Sequence, residues 1–149
     1  MSRMSIDLND LICFNFYKGW REISALYKDF LGNDISPQNI YVLDVCDLEN
    51  KLTMQQLAKK LQLDGSAIST LVSRMEKNGL LKRTHGTKDR RTVFVNLTKE
   101  GYQLRQDLRK KMGLLTENIN MNLQEEDVKK LQEIVKTIAK NRETETSLH

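Results

Sequence analysis

The stretch 64–101 reads DGSAISTLVSRMEKNGLLKRTHGTKDRRTVFVNLTKEG, and its hydrophobic period changes near the middle. In the first part, apolar residues recur at the three-and-four spacing of a helix that buries one side. Asp64 is a typical N-cap residue, and Asn78-Gly79 tolerate the left-handed backbone that ends many helices. The pattern predicts a helix that is capped by Asp64 and runs through about Lys77.

The second part of the stretch has the composition of β-strands. Residues 80–84 and 92–97 predict two strands, and the polar segment between them contains Gly86, which favours a hairpin loop. Thr98 then opens a long helix that continues past Leu115.

The residues before this stretch predict a short partner helix. Thr53 and Gln56 have the spacing of a capping box, and Leu57 and Leu61 supply the buried side of a helix that ends near Lys60. Two such helices, separated by a tight turn and followed by a basic hairpin, form a winged helix-turn-helix.

Amphipathic helices are predicted on both sides of this unit. One runs from Leu8 to about Leu31, a second begins at Ser36-Pro37 and ends near Glu49, and the last runs from about Gln124 to Ala139. The tail 141–149 is expected to be frayed. The predicted fold is therefore mainly α with a small β-hairpin wing.

Length and composition are those of one globular domain. The chain has 149 residues, 39% of them hydrophobic, and a single proline. No apolar leader is found at the N-terminus, and no stretch approaches the roughly 18 apolar residues of a membrane helix. We expect a cytoplasmic protein that has no membrane partner.

Positive charge is concentrated in the middle of the chain. Residues 1–50 hold four Lys or Arg against eight Asp or Glu, whereas residues 51–100 hold eleven against four. The remaining residues are nearly balanced, with nine against eight. This distribution indicates a surface that docks a polyanion, and the helix-turn-helix identifies double-stranded DNA as the expected partner.

Two groups of residues are expected to contact DNA. The N-terminal end of the second helix of the pair reaches base edges in the major groove, and small residues there let the backbone approach closely. The loop of the hairpin carries cations that suit an adjacent minor groove, with Arg91 as the first choice. Asp89 is expected to orient a neighbouring arginine through paired hydrogen bonds. The expected contacts are Gly65, Ser66, Ser69 and Thr70 on the helix and Lys88, Arg90 and Arg91 on the wing.

The run 64–101 closely resembles the signature of the MarR family, in which the wing carries Asp-x-Arg followed by alternating apolar residues, Leu-Thr and Gly. The resemblance extends over nearly the whole chain. It implies a homodimer that binds pseudo-palindromic operators, usually as a repressor, and it adds Arg74 as a polar contact. By this resemblance, about 37–97 form the winged helix-turn-helix, and about 1–35 and 98–143 form dimerisation helices.

The first helix carries a candidate redox sensor. Cys13 has Tyr17 one turn away, and a phenol hydroxyl can stabilise a reactive thiolate. Tyr27 is about 21 Å further along the helix, so it can reach only the thiol of a partner subunit. The pattern is similar to that of the organic hydroperoxide sensors and related thiol-based regulators of the MarR family. Those sensors commonly carry another tyrosine before Pro-Gln, where this sequence has Ser36.

Other interpretations remain open at this point. Cys13 can be a packing residue, which is the usual role of a free cysteine, and Cys46 is interpreted as core because it shares a helix face with apolar residues. Control by a small aromatic or phenolic ligand is the main alternative, in a crevice lined by Trp20, Phe16 and Tyr27. A winged helix used only for protein contacts is a further one. The two histidines and two cysteines have no metal-ligand spacing, and we expect neither a cofactor nor an enzyme.

Overall fold

The computed structural model describes residues 5–33, 35–119 and 123–147. A short 3₁₀ turn, Leu8–Asp10, precedes the first helix. The helices are α1 (Ile12–Leu31), α2 (Pro37–Val45), α3 (Met54–Leu61), α4 (Gly65–Lys77), α5 (Lys99–Ile119) and α6 (Glu125–Ser147), and the strands are β1 (Leu52–Thr53), β2 (Leu81–His85) and β3 (Val93–Leu97). Within the described ranges, no helix is long and apolar enough to cross a membrane.

The predicted helix caps are confirmed. Thr53 Oγ1 accepts a hydrogen bond from the Gln56 amide at 3.0 Å, and Gln56 Oε1 accepts one from the Thr53 amide at 2.9 Å, which completes the capping box of α3. Asp64 Oδ1 accepts from the Ala67 amide at 2.7 Å at the start of α4. Gly79 has a φ of 77° after the end of α4, as its position predicted.

Two predicted helices have different ends. The first does not begin at Leu8, because Leu11 is extended and separates the 3₁₀ turn from α1. The second ends at Val45 rather than near Glu49. Cys46 is extended there, and the carbonyl of the next residue, Asp47, accepts a hydrogen bond from the Leu97 amide at 2.8 Å. The approach to β3 therefore ends α2.

The sheet has a third strand that the sequence did not predict. The strand order is β1-β3-β2, and both pairs are antiparallel. Leu52 pairs with Val95, and Thr53 pairs with Phe94. A strand of two residues has no measurable alternation, so only its partner in β3 defines it.

The expected fraying of the tail is wrong for residues 141–147, which are the last turns of α6. No glycine or proline interrupts this segment, and polar residues can continue a helix on its own hydrogen bonds. The last two residues of the chain lie outside the described residues.

The chain divides into two compact units, Met1–Lys111 and Met112–His149. In the first unit, the core lies between α2, α3, α4 and the sheet, and its largest fully buried side chains include Leu43, Leu57, Ile68, Met75 and Leu97. In the second unit, α6 leaves the apolar side chains of Val128, Leu131, Val135 and Ile138 between 43% and 52% exposed.

Candidate nucleic-acid interface and thiol site

The second helix of the helix-turn-helix, α4, is divided into a buried side and an exposed side. Ile68, Val72 and Met75 are almost fully buried in the core. The residues expected to contact DNA are all exposed, and they are Gly65, Ser66, Ser69, Thr70 and Arg74. The helix therefore offers a row of small polar groups to a ligand outside the protein.

One of these hydroxyl groups is already oriented. Thr70 Oγ1 donates a hydrogen bond to the Ser66 carbonyl at 3.1 Å. Its lone pairs remain as acceptors, which favours contact with an amino group of a base rather than with a phosphate oxygen.

The wing loop is closed by its own backbone. The Gly86 amide donates to the Thr92 carbonyl at 2.9 Å, and the Thr92 amide donates to the Asp89 carbonyl at 3.1 Å. A Cβ atom at position 86 would lie 2.6 Å from the Asp89 carbonyl oxygen, so the loop requires glycine there. The three cations of the wing loop, Lys88, Arg90 and Arg91, are all exposed.

Asp89 contacts Arg91 differently from our expectation. Its Oδ1 atom accepts a hydrogen bond from the Arg91 amide at 2.9 Å and lies 3.7 Å from the Arg91 Nε atom. The predicted paired hydrogen bonds are therefore replaced by one backbone hydrogen bond and an ion pair. The Arg91 side chain is 96% exposed, so this contact leaves it available to a partner.

Arg83 and His85 were missed by the sequence analysis. Arg83 Nη2 donates to the Ser69 carbonyl at 3.0 Å and to Ser73 Oγ at 2.8 Å. His85 Nδ1 donates to the Arg90 carbonyl at 2.9 Å. The alternation of β2 contained a signal for Arg83, because residue 83 must lie on the same side of the strand as buried Leu81.

A groove of about 560 Å³ lies between α3, α4 and the wing. It is lined from α3, α4 and the wing by Gln55, Ala58, Gly65, Ser69, Arg83 and His85, among others. The second helix of the helix-turn-helix, α4, which is called the recognition helix below, thus borders one open surface together with the wing.

The candidate sensor thiol lies on α1. Cys13 is exposed, and Tyr17 on the same helix is 57% exposed. The Tyr17 ring centroid lies 5.6 Å from the Arg21 guanidinium carbon. Among the described residues, no hydrogen bond to the Cys13 thiol is found. Cys13 and Tyr27 belong to one unbroken helix, which agrees with a separation of about 21 Å within a subunit.

Tyr27 and Cys46, the other two residues considered for thiol chemistry, are more buried than Cys13. Burial raises the pKa of Tyr27, and its neighbour Tyr41 raises it further. Cys46 is 1% exposed, and burial raises the pKa of its thiol to about 11, although Arg105 acts in the opposite direction. The interpretation of Cys46 as a core residue is confirmed.

A cavity of about 460 Å³ lies beside Trp20, between α1, the start of α2 and the end of α4. Its lining includes Lys28, Asn39 and Arg74, but neither Phe16 nor Tyr27, so two of the three residues expected there do not line it. Asn39 is 8% exposed, and its Oδ1 atom has no hydrogen-bond partner among the described residues. The described residues contain no group of three potential metal ligands.

A helix-turn-helix with an exposed polar recognition helix and a basic wing defines a DNA-binding transcription regulator of the winged-helix class. The MarR family model matches residues 33–92. The organic hydroperoxide resistance transcriptional regulator of Bacillus subtilis is 32% identical over 101 residues, which cover 66% of this chain and 68% of that relative. The chain therefore belongs to the MarR family.

Solved structures of transcription regulators show the same fold. PcaV from Streptomyces coelicolor, in complex with its natural ligand, has a TM-score of 0.82 at 19% identity, with 93% of this chain and 98% of that chain covered. FabT from Streptococcus pneumoniae, in complex with DNA, has a TM-score of 0.61 at 20% identity, with 89% and 96% covered.

Proposed function

We propose that the protein is a cytoplasmic homodimeric repressor that binds pseudo-palindromic operators and is released from DNA when Cys13 is oxidised. The observation that carries redox control is the exposure of the Cys13 thiol on α1, because an oxidant must reach the sulfur. The name of the Bacillus subtilis relative, an organic hydroperoxide resistance regulator, suggests the class of oxidant.

DNA contact is assigned to α4 and the wing. The exposed groups of α4 enter the major groove, and the cations of the wing contact the phosphates or the minor groove beside it. The contact residues are Gly65, Ser66, Ser69, Thr70, Arg74, Lys88, Arg90 and Arg91, with Asp89 holding the Arg91 backbone.

Exposed apolar side chains on the terminal helices support a dimer. On α1, Ile12, Phe16 and Ile23 are 39–57% exposed. The apolar row of α6 is exposed to a similar degree. Rows of this kind are typical of helices that pack against a second subunit, and pairing two modules on a two-fold operator multiplies affinity.

The oxidation step needs only a hydroperoxide. The Cys13 thiolate attacks the terminal peroxide oxygen, an S–O bond forms, and the O–O bond breaks. The products are a sulfenic acid on Cys13 and the alkoxide, which takes a proton from water to become the alcohol. Tyr17 and the partner's Tyr27 are the hydroxyl groups assigned to this thiolate.

The proposal is tested by fluorescence anisotropy on DNA from upstream of the coding region of this protein. The reduced parent chain, Cys13→Ser and Cys46→Ser are each measured before and after addition of an organic hydroperoxide. Release of the parent and of Cys46→Ser, with Cys13→Ser still bound, is the expected result. If all three remain bound after oxidation, redox control through Cys13 is rejected.

Control by a small aromatic ligand is the second candidate. It is favoured by the cavity beside Trp20, which is lined by the cations Lys28 and Arg74 and by Asn39, whose Oδ1 atom has no hydrogen-bond partner in the described part of the chain. The relative with a similar fold, PcaV, is described with its natural ligand. Trp20 is the single tryptophan of the chain, so a phenol or an aromatic acid bound there changes the fluorescence directly. If the Trp20 emission of the Cys13→Ser variant does not change when such a compound is titrated into it, this candidate is rejected.

A further inference from the structure

Arg83 joins the wing to the recognition helix at three positions. Its Nη2 atom donates to the Ser69 carbonyl at 3.0 Å and to Ser73 Oγ at 2.8 Å. Its backbone amide donates to Glu76 Oε2 at 3.0 Å. The three acceptors lie on consecutive turns of α4, so one residue of β2 fixes the helix along a single row.

The same residue is tied to the wing. The Arg83 backbone pairs with Val95 in β3, and two residues later His85 Nδ1 donates to the Arg90 carbonyl at 2.9 Å. Arg90 is one of the exposed cations of the wing loop. A displacement of Arg83 therefore changes the position of the wing relative to α4.

One nitrogen of the Arg83 guanidinium, Nη2, is occupied by two protein acceptors. Arg83 is only partly exposed, and its Nε atom is buried without a hydrogen-bond partner among the described residues. Hydrogen bonds from a charged donor are about twice as strong as neutral ones, so the contacts to α4 hold the side chain in place. A phosphate would have to compete with these contacts.

We propose that Arg83 is a positioning residue for DNA recognition. It sets the recognition helix at the angle to the wing at which both elements reach their grooves together, and it does not contact DNA itself. This role rests on the proposed docking of α4 and the wing on duplex DNA.

The test compares Arg83→Lys and Arg83→Gln with the parent chain. A duplex selected by the parent from a random-sequence pool and a scrambled duplex of equal length are titrated over a series of salt concentrations. We expect both variants to lose affinity for the selected duplex by about tenfold, because each loses the paired contact of Nη2. Affinity for the scrambled duplex and the salt dependence of binding should be unchanged, since no phosphate contact is lost.

Three results of this comparison would overturn the proposal. A salt slope reduced by about one would mean that Arg83 contacts a phosphate. Full affinity of Arg83→Lys would mean that positive charge alone is sufficient. A lower unfolding temperature with an unchanged ratio of selected to scrambled affinity would mean that Arg83 only stabilises the fold.

Ser73→Ala provides a variant that keeps the arginine. It removes one exposed acceptor and should lower selected-duplex affinity severalfold, with no further loss when it is combined with Arg83→Gln. Additive losses would contradict the proposal. If Arg83→Gln does not fold, the selected-duplex affinity of Ser73→Ala alone tests the proposal. If the parent selects no duplex at all, the proposed function itself is rejected.

Discussion

Two glycines of α5 should respond to the same substitution in opposite directions. A Cβ atom at Gly101 would overlap the Leu80 carbonyl oxygen, which is held in place by a hydrogen bond from the Thr98 amide. Backbone cannot move aside as a flexible side chain can, so Gly101→Ala should lower the free energy of unfolding by about 2 kcal/mol. Denaturation in urea measures this change.

Gly113→Ala is the matched control for that experiment. Among the described residues, no atom outside the neighbouring residues and backbone of the helix itself lies within 4 Å of a Cβ at position 113, and the residue is exposed on the same helix. Alanine favours a helix over glycine by about 1 kcal/mol, so this variant should be more stable than the parent. Equal effects of the two substitutions would show that Gly101 is not a close-approach position.

The two cysteines should differ in reactivity. Cys13 is exposed, whereas burial raises the pKa of the Cys46 thiol to about 11. Only the thiolate reacts, so a disulfide reagent at pH 8 should modify one thiol per chain rapidly and the second only slowly. The slow rate should increase as the pH rises toward 11, because Cys46 then ionises. Two equally fast thiols would contradict the buried position of Cys46, and Cys13→Ser identifies the fast one.

At the level of elements, the contribution of the N-cap hydrogen bond to the stability of α4 can be separated from the contribution of the Asp64 charge. Asp64→Ala removes the acceptor of the Ala67 amide and should lower the free energy of unfolding by about 1 kcal/mol. Asp64→Asn keeps an acceptor at the same position and should lose less than half of that. If both variants lose the same free energy in urea denaturation, the cap hydrogen bond is not what stabilises α4.

Residues close together in the sequence were sufficient to predict most of the helices and strands. The caps at Thr53 and Asp64 depend on residues three positions apart, so a short sequence window contains both partners. Contacts between distant residues gave no such signal. The strand β1 exists through its pairing with β3, and the end of α2 is set by a hydrogen bond between Asp47 and Leu97, fifty residues apart.

The candidate site was predictable to a similar extent. The exposed hydroxyls of α4 and the cations of the wing follow from helix spacing and hairpin composition. Arg83 was missed because a basic residue in a basic segment was counted as a charge, whereas its role depends on acceptors in another element. Of the residues that line the cavity beside Trp20, only Trp20 was predicted to line a ligand crevice, because the lining comes from three separate elements.

At the level of the whole molecule, the placement of charge matters more than its net value. The chain carries a formal charge of only +4, yet residues 51–100 contain eleven of its twenty-four Lys and Arg. Nonspecific DNA binding depends on the number of phosphates neutralised, which is read from the slope of log K against log salt concentration. Arg90→Gln and Arg91→Gln should each reduce that slope by about one.

Lys136→Gln changes the net charge by the same amount at an exposed position of α6. It should leave the slope unchanged, because Lys136 is not among the residues assigned to the proposed DNA-binding surface. Equal reductions in all three variants would mean that binding follows the overall charge and that the wing has no specific docking role. If only the two wing arginines change the slope, the neutralised phosphates lie beside the wing. This is the position expected when the operator also contacts α4.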